Sequence, residues 1–295
     1  MKRVISIFLV VAVVSSFCIV ANAAGGKESG KLGTQTIYDH TYAAKKAIAV
    51  ERIMEIREKY LENNGVISNE ERVELRRLIN EFYPNAQVED YLPPMNSTTR
   101  SNPGDYQSLN LNLPGRLQET GYYCAPASGY AVLSGRGISV TQNELAEKMN
   151  TTTDGTGFYE VNDALNEYNG VNGNRFHYAE LVGYQLSGES MTATEWAIQF
   201  SNAAISTLLG EYGVIYNVHQ VAGSSNYLTG YANSSGVAAG TVWHFVAGEG
   251  FDSSDPSNRI CYYYDSNNKS GLGTHHMEIS FRVMAVLCND RGLIY

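Results

Sequence analysis

The chain is poor in charge, in cysteine and in proline. Of its 295 residues 17% are charged, four are Cys and seven are Pro. Basic residues are the scarcer sign, with 21 Lys and Arg against 30 Asp and Glu and a formal net charge of -9. Nucleic-acid binding needs a basic face, so no nucleic-acid partner is expected. The length is too great for a disulfide-stapled miniprotein and enough to bury a sizeable core, although four cysteines could make two disulfides. A hydrophobic fraction of 43% excludes wholesale disorder. Beyond the first segment, no stretch is apolar enough to span a bilayer.

That first segment is the one long apolar run. Lys2 and Arg3 precede Val4 to Val20, and Ala21-Asn22-Ala23 follows. A positive start, an apolar run and a small-x-small site read as a secretory signal peptide over residues 1–23, cleaved after Ala23. An uncleaved membrane anchor is the alternative, because the run approaches spanning length. Cleavage implies a secreted, extracellular protein with no stable membrane association. It also removes Cys18 and leaves Cys124, Cys261 and Cys288. An odd number in an oxidising compartment leaves one thiol for chemistry or for a partner chain.

Composition divides the rest. Ala24 to Asp105 holds 11 basic and 13 acidic residues, whereas Tyr106 to Tyr295 holds 8 and 17 and carries 16 of the 21 tyrosines. A linker is expected between Asn96 and Asp105. Residues 24–105 read as two solvated helices, about Tyr42 to Glu62 and then Val73 to Phe82. Ser68 and Glu71 form a capping box for the second. Such a segment is either a removable pro-segment or a permanent helical hairpin.

Residues 106–295 read as helices first and strands afterwards, an α+β order. Helices are expected at Cys124 to Leu133, Thr141 to Met149, about Tyr159 to Tyr168, and Thr192 to about Leu209. Strands are expected at Val214 to Val218, Trp243 to Glu249, Arg259 to Asp265, Met277 to Phe281 and Val283 to Leu287. Gly223 to Gly240 reads as a long mobile loop.

The chemistry centres on Leu117-Gln118-Glu119-Thr120-Gly121-Tyr122-Tyr123-Cys124-Ala125-Pro126-Ala127-Ser128. Pro126 suits a first helical turn, which sets the Cys124 sulfur at a helix N-terminus. Unpaired NH groups and the macrodipole there favour a thiolate, the nucleophilic form. Gln118 can return across the loop and, with the Cys124 NH, offer two donors to an oxyanion. His244 is the first candidate base, with His219 as the alternative. Asp265 closes the strand after that of His244 and can hold its ring as a triad carboxylate does, with Asp252 in the turn as competitor. His275-His276 lacks a Cys or carboxylate at ligand spacing and reads as an exposed loop. Cys261 and Cys288 are either a disulfide between neighbouring strands or two buried thiols.

This pattern resembles the papain-like cysteine peptidases. The fuller run, Gln-x-x-x-Tyr-Tyr-Cys-Ala-Pro-Ala-Ser followed by His-Phe-Val and Tyr-Asp, resembles the secreted branch of the bacteriocin-leader-processing (double-glycine) peptidase superfamily. The resemblance covers about Tyr106 to Tyr295. It implies a papain-like peptidase domain with Cys124 as nucleophile, His244 as base, Asp265 as its orienter and Gln118 as oxyanion donor. It implies a peptide or protein substrate and no cofactor or metal. The membrane and nucleotide-binding domains of the superfamily's transporters have no counterpart, so the substrate need not be a bacteriocin leader. The same residues would also suit acyl transfer, or a binding module whose site has degenerated.

Overall fold

The computed structural model describes residues 40–92, 108–188, 190–255, 257–267 and 275–295. The expected signal peptide with Cys18, and the expected linker, lie outside the described residues.

Three helices come first: α1 (His40–Glu62), α2 (Asn69–Phe82) and α3 (Val88–Tyr91). The capping box at Ser68 forms as expected. Ser68 Oγ accepts from the NH of Glu71 at 3.1 Å, and Glu71 returns a carboxylate oxygen to the NH of Ser68 at 2.9 Å. Leu75, Leu78, Ile79 and Phe82 then recur at helical spacing and are buried. On α1 the buried apolar residues are Ala43, Ala49, Val50, Ile53, Met54, Ile56 and Tyr60, with Lys46 and Arg57 buried beside them. These faces pack on each other and on a later helix, α8 (Ala193–Leu209).

The remainder is mixed. Strand β1 (Ser108–Asn110) precedes α4 (Cys124–Gly135), α5 (Gln142–Lys148) and α6 (Phe158–Asn166). Next come β2 (Glu180–Val182), the single turn α7 (Tyr184–Ser187) and α8. The chain ends with β3 (Val214–Gln220), β4 (Val242–Asp252), β5 (Ile260–Tyr264), β6 (His276–Ser280), α9 (Phe281–Leu287) and β7 (Gly292–Ile294). The strands make one antiparallel sheet in the order β2-β7-β3-β4-β5-β6, and β1 pairs with β4. This is the expected α+β architecture with an antiparallel sheet. Val214 to Val218 and His244 to Phe251 are buried at every position, so both faces of the central strands are covered. Helices α4 and α8 supply that cover.

Two expectations are corrected. Val283 to Leu287 is not a strand but lies in helix α9. Ser280 caps it, accepting from the NH of Val283 at 3.2 Å, and Phe281, Met284, Ala285 and Leu287 are buried at helical spacing. The β-branched valines suggested a strand, and the cap with its three-four spacing prevailed. The segment from Gly223 to Gly240 is also not a loose loop. Leu228, Tyr231 and Ala238 are buried, and Ala232 bridges Ala238. Gln220 ties the loop at both ends, accepting from the NH of Leu228 and donating to the carbonyl of Gly240, each at 3.0 Å.

One irregularity serves the site. Gly248 pairs with Tyr263 and Gly250 with Tyr262, so Glu249 is the extra residue of a bulge in β4. Its buried carboxylate accepts from the NH of Leu113 at 3.0 Å, and its carbonyl from the NH of Leu111 at 2.7 Å. The segment leading to Gln118 is thereby laid against the sheet. Gly115 completes the fit, since a Cβ there would collide with the Tyr264 ring.

Candidate active site

Cys124 is the first residue of α4, with Tyr123 at the cap position. The helix begins here because the chain turns at Thr120 to Tyr123 and then runs through small residues that tolerate close packing. One turn further, Ser128 donates its hydroxyl to the carbonyl of Phe245 at 3.1 Å. That bond pins the start of α4 to β4 beside His244.

His244 sits at the start of β4 and is 4% exposed. Its Nε2 lies 2.7 Å from Oδ1 of Asp265. Cys124 is the other neighbour that favours the protonated ring. Burial alone would pull the His244 pKa down. The charge and hydrogen bond of Asp265 and the contact with Cys124 outweigh it and push the value up to about 10. Asp265 shows the converse. Burial disfavours its charge, yet His244, the NH of Asn267 and the hydroxyl of Tyr231 hold its carboxyl below the ordinary range. The ring thus lies between a carboxylate and a cysteine that both favour its protonated form.

Asp265 follows β5 directly, and the β4–β5 hairpin brings it back to the base of β4 as expected. Its own NH donates to the carbonyl of His275 at 2.9 Å, and His275 Nδ1 reaches its carbonyl at 3.0 Å. The NH of Asn267 donates to Oδ1 at 2.8 Å, and Asn267 also donates to the Tyr231 hydroxyl at 3.1 Å. Tyr231 comes from the glycine-rich loop. Nothing in its sequence context marked it, because its role arises only when the loop folds over the sheet.

Gln118 lies in the same neighbourhood. Its NH donates to the carbonyl of Ser266, the residue after Asp265, at 2.9 Å. Its side-chain amide donates to the carbonyl of Thr120 at 2.9 Å, and its carbonyl oxygen accepts from the Ser266 hydroxyl at 3.4 Å. A primary amide carries two protons, so Thr120 engages one and leaves a second donor.

The competing residues fall elsewhere. Asp252 lies eight residues along β4 from His244, about 26 Å at strand rise, and accepts from the NH of Ser254 at 2.8 Å to close the turn. His219 faces Trp243, stacks on its ring and bonds Asp290 at 2.6 Å. His177 meets Tyr42 edge-on. The pair His275-His276 is not a free loop, since His276 opens β6 and holds the buried Glu249 at 2.8 Å.

Cys261 and Cys288 are both free and buried, so the possible disulfide is not formed in the structure. Cys261 lies in β5, but Cys288 caps α9 rather than lying in a neighbouring strand. Burial pushes the Cys261 thiol up to about 12, with the Tyr216 hydroxyl opposing it. Burial and nearby Cys261 raise Cys288 as well. Both thiols are thus held protonated and poorly nucleophilic, unlike a sulfur facing an imidazolium. Among the described residues no group of three or more His, Cys, Asp or Glu could hold a metal ion.

A helix-start cysteine, a buried imidazolium and its carboxylate, on an α+β scaffold, define the class of cysteine hydrolases. The chain belongs to the Peptidase_C39 like family, whose model matches residues 110–283, and is by that membership a cysteine peptidase. Among solved structures, the bromelain protease from Ananas comosus in complex with the E64 inhibitor is similar at 11% identity. That match covers 64% of this chain and 97% of bromelain, with a TM-score of 0.40. Digestive procathepsin L 3 of Tenebrio molitor larval midgut is similar at 12% identity, covering 88% of this chain and 94% of its own, with a TM-score of 0.40. No curated protein matches this chain.

Proposed function

We propose that the chain is a secreted peptidase that hydrolyses peptide bonds through Cys124, His244 and Asp265, with Gln118 as oxyanion donor. The observation that carries this reading is His244, which bridges a carboxylate and a helix-start sulfur within one buried cluster. In this mechanism the Cys124 thiolate attacks a substrate carbonyl while His244 holds the proton. The free proton of the Gln118 amide and the Cys124 NH receive the oxyanion. His244 then protonates the leaving amine, and the acyl group stays on sulfur as a thioester. Water, losing its proton to His244, releases the acid and restores the pair. Asp265 keeps Nε2 engaged throughout, so Nδ1 always faces the sulfur.

The test is alkylation by a peptide epoxide. Cys124 is expected to react selectively over Cys261 and Cys288, and His244→Ala is expected to slow that reaction. Equal labelling of the three thiols, or indifference to His244→Ala, would remove the assignment.

Secretion rests on Lys2, Arg3, the apolar run and the Ala-x-Ala site, and predicts a mature N-terminus at Ala24. Of the two readings of the helical segment, the permanent one is favoured by its docking. Lys46 is fully buried and donates to the carbonyls of His177 at 2.9 Å and Tyr295 at 2.7 Å. Its Nζ also stands 4.1 Å from the Phe176 ring centroid. Tyr83 and Tyr91 both bond Ser206 of α8 at 2.8 Å. Active secreted protein is therefore expected to retain residues 40–92. Shortening between residues 96 and 105 with a gain of activity would instead make the segment a pro-region.

A further inference from the structure

Gln142 opens α5 and is 2% exposed, although it belongs to a residue type usually found in solvent. Its side chain bonds the chain on both sides of Gln118. The Nε2 group donates to the carbonyl of Leu117 at 2.8 Å, and Oε1 accepts from the NH of Glu119 at 3.0 Å. A side-chain amide thus pairs with a backbone segment as a neighbouring strand would. The NH of Gln118, between those two groups, is held separately by the carbonyl of Ser266. Three consecutive residues are therefore fixed from two directions, by α5 and by the residue after Asp265. The capping box at Thr141 steadies the clamp, since Thr141 Oγ1 accepts from the NH of Glu144 at 3.2 Å and Glu144 answers at 2.7 Å.

We propose that Gln142 is a positioning residue for the reaction, which clamps the Leu117–Glu119 backbone so that the Gln118 amide faces the oxyanion formed at Cys124. This rests on the peptidase reading above. Its chemical logic is that an oxyanion donor works only when preorganised, and a displacement of about 1 Å can cost about 10²-fold in rate. Both side-chain hydrogen bonds of Gln142 go to the backbone flanking Gln118, so its loss should act through Gln118.

The experiment is a double-mutant cycle on the full chain, with Gln142→Leu, Gln118→Ala and their combination. Gln142→Leu keeps the volume and deletes both bonds. It is expected to lower kcat about 10- to 100-fold with KM changed less than about threefold. The rate of Cys124 alkylation by iodoacetamide should stay within about twofold, because that reaction uses no oxyanion donor. In the Gln118→Ala background, Gln142→Leu should add almost nothing. Gln142→Glu, which keeps an acceptor for Glu119 but loses the donor to Leu117, should fall between wild type and Gln142→Leu. It also carries the test should Gln142→Leu not fold. Unchanged kcat, equal losses in both backgrounds, or slowed alkylation in parallel with kcat would overturn the clamp while leaving the peptidase reading intact. A wild type without peptidase activity would overturn that reading, and the clamp's role in catalysis with it.

Discussion

The helical segment pairs its charges in water, whereas the sheet-bearing region has, at its candidate site, a pair that is almost wholly desolvated. On the helices, Arg52 meets Glu55 and Glu74 at 2.8 Å and Arg77 meets Glu81 at 3.0 Å, all with substantial solvent exposure. Lys59 also pairs with Glu71 there. In the other region, His244 meets Asp265 at 2.7 Å with side chains 5% and 1% exposed. Exposed pairs are worth about 0–1 kcal/mol each, because water competes for both partners. Breaking a buried pair by deleting one side costs about 3–5 kcal/mol, because a desolvated charge is left alone. Apart from the buried Lys46 and Arg57, the charge-rich region thus keeps its charged side chains in contact with water and holds its fold by Ile53, Ile56 and Leu75. The charge-poor region has exposed pairs too, such as Lys148 with Glu167, but at the candidate site its paired groups are desolvated.

Substitutions can break that contrast or sharpen it. The largest expected effect is from Cys124→Ala, a loss of at least about 10³-fold in kcat measured on a peptide substrate. Gln118→Ala follows, with kcat down about 10²- to 10³-fold and Cys124 alkylation little altered. On the helical side, Ile53→Ala opens a cavity at a fully buried position. It should cost about 2–5 kcal/mol in denaturant unfolding, with kcat of the folded protein unchanged. A fall in kcat at full folding would show the helices to be part of the catalytic machinery.

Asp265→Asn keeps an acceptor for His244 and removes the charge. It should lower kcat about tenfold, or ~1.4 kcal/mol, the margin by which a charge-assisted bond exceeds a neutral one. The pH profile gives the sign. His244 is raised above its ordinary value, so its imidazolium and the stability it brings are complete below the ordinary histidine range. Both are lost as pH rises through about 10. Wild-type kcat/KM should therefore fall on the alkaline side near that value, and Asp265→Asn should bring the fall to lower pH. The smallest effect is expected from Arg77→Ala, within about 0.5 kcal/mol of wild type in stability and without effect on rate.

What was legible in the sequence follows the range of the forces involved. The capping boxes at Ser68, Thr141 and Thr192 are local, and all three form where their spacing predicts. The Gln118-to-Cys124 run and the β4–β5 hairpin are nearly as local, whereas the two are brought together by the long-range packing of α4 on β4, with Ser128 bonded to Phe245. The short strands β1, β2 and β7 carry no period of their own and exist because β4 offers an edge to β1, β3 to β7, and β7 in turn to β2. Helix α9 was hidden by its valines until Ser280 and the buried Phe281 and Met284 fixed its period. Tyr231 and Gln142 act only through partners more than twenty residues away, and no local pattern distinguishes such a tyrosine or glutamine.

The central claim is that Cys124 is the nucleophile of a peptidase. A peptide-library digest by wild type and by Cys124→Ala, read by mass spectrometry of new termini, tests it most directly. The account predicts cleavage by wild type and none by Cys124→Ala. Equal cleavage by the two proteins, or none by folded wild type, would contradict it.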